Sequence, residues 1–219
     1  MGLLLLVRDL LRTSRRMRST ERVQLEAEVR RLCEAGDARG AVTAAIRGLG
    51  PELMGFLIVV AGGPDDASDV FSDLCVRMWR SLHGFRWESS LRTWAYTLTR
   101  RALHEHRQRR ATWKQRMVPI SEVPEIDELI VRVRTTTLAG LRQGRRSRAE
   151  SLRARLDPDD QILLTLRLSR GLEWRDIAKV LAEADDLDEA AVMRAAASLR
   201  KRFERLKVRL KKMAAEESS

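Results

Sequence analysis

Apolar residues recur at helical spacing through most of the chain. Residues 21–47 set Val23, Leu25, Val29 and Leu32 among charges, the three-to-four-residue rhythm of an amphipathic helix. Gly36, Gly40, Gly48 and the pair Gly50-Pro51 punctuate that stretch. A second helix is predicted over 51–61. Gly62-Gly63-Pro64-Asp65-Asp66 closes it, with aspartates suited to capping the next helix. The signal is strongest over 66–82. Val70, Phe71, Leu74, Cys75, Met78, Trp79 and Leu82 form one broad apolar face, and Asp69, Ser72, Asp73 and Arg80 the other. A loop over 83–90 leads into a long helix over 91–110. Its core stripe is Leu91, Trp94, Ala95, Leu98 and Ala102, set against Thr93, Thr97, Arg100, His104 and Arg107.

Residues 111–128 change character. Pro119, Pro124 and the acids Glu122, Glu125, Asp127 and Glu128 read as linker. Helical pattern resumes near Ile130 and runs to Leu156. Asp157-Pro158-Asp159-Asp160 caps a helix that continues through Ser169, and Gly171 makes a tight turn into a helix over 174–184. An acidic loop over 183–188 precedes a last helix over 189–213. No segment alternates as a strand would, and none repeats. The expectation is an all-α protein of two small helical domains: an N-terminal extension at 1–22, a first domain at 23–111, a linker at 112–149, a second domain at 150–214 and a tail at 215–219. Leu3-Leu4-Leu5-Leu6-Val7 is too short to span a bilayer. It has neither the basic flank nor the cleavage pattern of a secretory signal. Residues 1–20 read as a poorly ordered extension or loose helix, with Met17 an alternative start.

Charge narrows the function. Lys and Arg number 42 against 31 Asp and Glu, a net +11. The excess is clustered, which points to a polyanionic partner, nucleic acid before membrane. Cys33 and Cys75 lie far apart inside helical patterns and match no metal-ligand spacing. They read as inert thiols of a cytoplasmic protein. There is no phosphate-binding glycine loop, no nucleophile–base pair and no apolar-set carboxylate pair, so nothing argues for catalysis. No metal or other cofactor is implied, and His104 and His106, two apart, do not share a helix face.

Three constellations carry candidate chemistry. In the C-terminal domain, Ile177, Ala178, Val180 and Leu181 face the stripe Val192, Ala195, Ala196, Leu199, Phe203, Leu206 and Leu210, the arrangement of a helix-turn-helix. The outer face of the second helix carries Arg194, Ser198, Lys201 and Arg205, while Arg175 and Lys179 suit phosphates. A helical hairpin with a solvated basic face fits that pattern equally well. The polar stripe of the 91–110 helix suits a phosphate backbone and base edges, and Trp87 ahead of it suits either base stacking or a packing role. Trp94 reads as core. Asp69 and Asp73 form an acidic stripe in a basic protein, a docking surface or simply a solvated first turn.

The runs Ala67-Ser68-Asp69-Val70-Phe71-Ser72-Asp73-Leu74-Cys75-Val76-Arg77-Met78-Trp79 and Phe85-Arg86-Trp87-Glu88-Ser89-Ser90-Leu91-Arg92-Thr93-Trp94 resemble region 2 of bacterial sigma factors of the small extracytoplasmic-function class. The likeness continues through Leu98-Thr99-Arg100-Arg101-Ala102 to Arg109-Arg110. Gly171-Leu172-Glu173-Trp174-Arg175-Asp176-Ile177-Ala178 and Leu199-Arg200-Lys201-Arg202-Phe203 resemble region 4. Both in this order cover roughly residues 40–110 and 150–210. The resemblance implies a non-enzymatic factor that binds core RNA polymerase and promoter DNA, with an anti-sigma factor as a further candidate partner. It assigns polymerase docking to Asp69, Ser72, Asp73 and Val76. Capture of an unpaired minus-ten base falls to the 85–90 loop with Arg86 and Trp87. Strand holding falls to Thr93, Thr97, Arg100, Arg101, His104 and Arg107, and minus-thirty-five reading to Arg194, Ala197, Ser198 and Lys201. Two rival readings predict different behaviour: a helix-turn-helix regulator acting without polymerase, and a degenerate sigma-like interaction module.

Overall fold

The computed structural model describes residues 17–111, 124–142, 152–182 and 188–216, and every regular element among them is helical. The protein is all-α. The described residues fall into two compact units, one within Ser14–Gln143 and the other within Gly144–Ser219.

The first unit is built on α1 (Ser19–Glu34), α2 (Ala38–Val60), α3 (Pro64–Ser81), a 3-10 turn (Leu82–Gly84), α4 (Leu91–Ala111) and α5 (Pro124–Arg142). Helix α2 is the axis of the core: Val42, Ile46, Leu49, Leu53, Met54, Phe56 and Leu57 are all buried. It is the one helix among the described residues long and apolar enough to cross a membrane. Here α1, α3, α4 and α5 cover it instead, so its apolarity serves a protein core. The stripe read over 66–82 is buried as expected at Val70, Phe71, Leu74, Cys75 and Met78. That of α4 is buried at Leu91, Ala95, Leu98 and Ala102.

Four expectations need correction. Gly50-Pro51 does not separate two helices, since α2 runs through both. Proline removes one backbone donor, but apolar side chains on either side of it are buried by the same neighbours, and that burial outweighs one hydrogen bond. Gly50 marks a close approach, because a Cβ there would stand 3.3 Å from Val133 of α5. The stretch taken as linker at 112–149 therefore contains a docked helix. Its acids at 125, 127 and 128 lie in the first turns after Pro124, where acids favour a helix N-terminus, and Ile126, Ile130 and Val133 are buried. Helix α1 begins at Ser19, inside the stretch taken as extension. The aspartates before α3 are not its N-cap. Gly63 holds that position, and Asp65 and Asp66 sit in the first turn.

In the second unit, α6 (Pro158–Leu164) ends in a π-helical turn (Thr165–Ser169). Gly171, at φ 61, turns the chain in a left-handed conformation that glycine adopts without strain. Helices α7 (Trp174–Leu181) and α8 (Glu189–Glu216) follow. Ala178 packs against Val192 and Ala196, with Trp174, Ala195 and Leu199 around them. Residues 1–16, 112–123 and most of the acidic 183–188 loop lie outside the described residues.

Cys75 is fully buried and its thiol is pushed strongly upward by desolvation, whereas Cys33 is half-buried and raised by burial and by Glu34. The native protein should therefore release colour from one thiol with a disulfide reagent at neutral pH, and from two in denaturant. Two fast thiols in the native state would show that Cys75 is not in the core.

Candidate nucleic-acid interface

The entry to α4 is over-determined. Ser90 accepts the first helical bond at its carbonyl from Trp94 N (3.0 Å), and its hydroxyl accepts from Thr93 N (3.0 Å). That makes Ser90 the N-cap. Thr93 Oγ1 lies 2.8 Å from the same hydroxyl. Helix α1 adds a second tie, since Glu26 accepts from Leu91 N at 2.9 Å. One turn further along α1, the Arg30 guanidinium stands 4.6 Å over the Trp87 ring. Phe85 meets Trp87 at 4.7 Å and stacks on Trp94 at 5.1 Å. Trp87 itself holds φ 59, unusual for a bulky residue and kept only where the surroundings fix it. The loop and the start of α4 thus present a half-buried row of Trp87, Phe85 and Trp94, with Arg30 of α1 exposed over it and Arg86 exposed beside it and paired with Glu88 at 3.2 Å.

The outward face of α4 is less uniform than its periodicity suggests. His104 is exposed, its Nε2 2.8 Å from the Gln108 side-chain nitrogen, and Thr97 and Arg100 are partly exposed. Arg101 has its pKa lowered by burial and then by Arg100 and Arg77, with Glu105 opposing. Burial is the main cause, and the neighbouring guanidinium charges add to it. Thr93 and Arg107 sit differently from expectation. Thr93 is 2% exposed and belongs to the cap, and Arg107 donates to Val60 O at 2.7 Å, fastening α4 to the end of α2. Periodicity places a residue on a face but cannot show that a cap or a carbonyl has claimed it.

On α3, positions 69, 72, 73 and 76 form one stripe at partial exposure. Its two acids are not equivalent. Asp73 accepts from Arg77 Nε and Nη2 (3.2 and 3.1 Å) and from Arg109 Nη2 (3.0 Å). Arg77 also pairs with Glu105 at 2.6 Å. Burial lowers the Arg77 pKa, but the hydrogen bonds and charges of Glu105 and Asp73 outweigh it and the net shift is upward. Asp69 has no such partner among the described residues. Ser72 donates to Ser68 O, and Arg134 of α5 reaches its hydroxyl at 3.5 Å.

In the second unit, Arg194, Ser198 and Lys201 share the exposed face of α8, with Ala197 exposed alongside. Asp188 caps the helix, accepting from Ala191 N at 2.6 Å. Arg175 pairs with Glu189 at that same end, and Lys179 lies half-buried on α7. Trp174 packs edge-on to Phe203 (5.4 Å) under the Arg167 guanidinium (4.7 Å). Glu26 and Arg30 are the residues that sequence reasoning missed. Only their i, i+4 spacing on α1 hints that they act together.

Residues 45–113 match the family model described as sigma-70 region 2. No curated protein and no solved structure matches the chain. The matched segment takes in most of α2, all of α3, the aromatic loop and α4.

Proposed function

With residues 45–113 matched to a sigma-70 region 2, we propose that the protein is a sigma factor of the extracytoplasmic-function class. It acts in the cytoplasm, binds core RNA polymerase, carries it to a promoter and helps open the start site. Members of the matched family initiate transcription and do no catalysis themselves. The observation that carries the proposal is the coincidence of that match with the fixed aromatic loop and the partly exposed Arg100 and Arg101 on α4. An unpaired base has ring surface to stack on there, and the strand behind it meets Arg100 and Arg101. The second unit supplies region 4, with Arg194, Ser198 and Lys201 of α8 toward the major groove of the minus-thirty-five element. An anti-sigma factor covering the α3 stripe would silence the protein.

Run-off transcription on a genomic-fragment library, with core polymerase alone and with this protein added, tests the reading. New discrete transcripts are expected, and Trp87→Ala should cut their yield roughly five- to 150-fold, the equivalent of about 1–3 kcal/mol of base stacking. Polymerase binding without new transcripts would favour the interaction module. Tight sequence-selective DNA binding without polymerase binding would favour the independent regulator.

A further inference from the structure

Helix α8 extends well past the part that faces the helix-turn-helix core. Its 28 residues run from Glu189 to Glu216, and Phe203, Leu206, Leu210 and Met213 keep its inner face buried to the far end. Several flank cations are taken up inside the unit. Arg202 pairs with Asp160 (2.7 Å), Arg209 with Asp157 (3.3 Å) and Lys207 with Glu204 (2.7 Å). Arg194, Lys201, Arg205 and Lys212 have no ion pair among the described residues. Together with Ser198 and Val208 these cations occupy positions 194, 198, 201, 205, 208 and 212, alternating steps of four and three. Such spacing makes one line along a helix, and all six are exposed.

That line is too long for one groove. At the helical rise, Arg205 lies roughly 16 Å and Lys212 roughly 27 Å from Arg194 along the axis. The major groove is about 12 Å wide, and a recognition helix touches base edges with its N-terminal residues. A straight helix seated that way carries its later turns out over the sugar–phosphate rail.

Resting on the reading of α8 as the groove helix, we propose that Arg205 and Lys212 form a second contact with duplex DNA. It is a sequence-independent clamp on backbone phosphates flanking the site that Arg194, Ser198 and Lys201 read. An acidic protein surface is the poorer occupant. Protein interfaces need buried aromatic or apolar anchors, and this line offers Val208 alone.

The full chain should be titrated by fluorescence anisotropy onto a 30-base-pair duplex of random sequence over a range of salt. Each phosphate contact contributes about 0.9 to the slope of log affinity against log salt. Arg205→Ala with Lys212→Ala should lower that slope by about 1.8 with unchanged thermal unfolding. Lys207→Ala with Lys211→Ala, a charge-matched pair on the flank, should leave it near wild type. Equal slopes for the two double variants, or no loss in the first, would overturn the clamp while leaving groove reading intact. Failure of the wild-type chain to bind duplex at low salt would overturn both.

Discussion

Glu52→Ala is expected to destabilise the first unit by about 3–5 kcal/mol, the cost of breaking a buried ion pair from one side. Glu52 is 2% exposed and Arg92 7%. Oε1 accepts from Arg92 Nε at 2.9 Å, from a second guanidinium nitrogen of Arg92, and from the Tyr96 hydroxyl at 2.9 Å. The pairing joins α2 to the first turns of α4, and Phe56 meets Tyr96 edge-on beside it at 5.3 Å. Removing the carboxylate leaves a buried guanidinium without this counter-ion. Tyr96→Phe deletes one hydrogen bond to a charged group and should cost about 1.5–3 kcal/mol. Urea unfolding followed by circular dichroism measures both. A Glu52→Ala midpoint within error of wild type would show that the pair does not hold the two helices. Arg92 stands one residue from the Thr93 cap, so the same substitution should also loosen the Trp87 loop, which the indole fluorescence would report.

Glu52 shows why some of this molecule could be read from its sequence and some could not. Periodicity found the buried faces of α3, α4, α7 and α8, because an amphipathic helix writes its core side at fixed spacing. It could not find Glu52, which lies in the interior as a charge and is legible only once Arg92, 40 residues away, is brought to it. Local breaker rules failed at Pro51 because burial along all of α2 outweighs the preference to stop. They failed again at Pro124, where a proline and acids that read as linker are also what a helix start requires. In the candidate site, Trp87 and the cations of α4 were visible as residue types on one face. The claims of the cap on Thr93 and of Val60 O on Arg107 were not, nor was the reach of α1 through Glu26 and Arg30 into the 85–90 loop.

The two acids of the α3 stripe should separate in the same way. Asp69→Arg is expected to reduce polymerase binding at least a hundred-fold with the unfolding midpoint unchanged. The side chain is partly exposed and unpaired among the described residues, and a reversed charge in a docking contact adds repulsion to the lost attraction. Asp73→Asn should do the reverse in emphasis. Asp73 closes a chain of charges from Arg109 through Arg77 to Glu105 that ties α3 to α4. At about 30% side-chain exposure its loss should cost about 1–2 kcal/mol of stability. Its affinity loss should be the smaller, because a carboxylate already shared by two guanidinium groups has less charge to offer a partner. Arg109→Ala provides the cross-check. If the network holds Asp73 away from the partner, removing Arg109 frees one of its ion pairs, and polymerase affinity should stay level or rise while stability falls. Measured together, binding by a pull-down titration and stability by urea unfolding, the three variants distinguish a docking stripe that uses Asp69 from one that uses both acids. Equal affinity losses at Asp69 and Asp73, with no stability change at either, would mean that the Arg77–Arg109 network does not persist in solution.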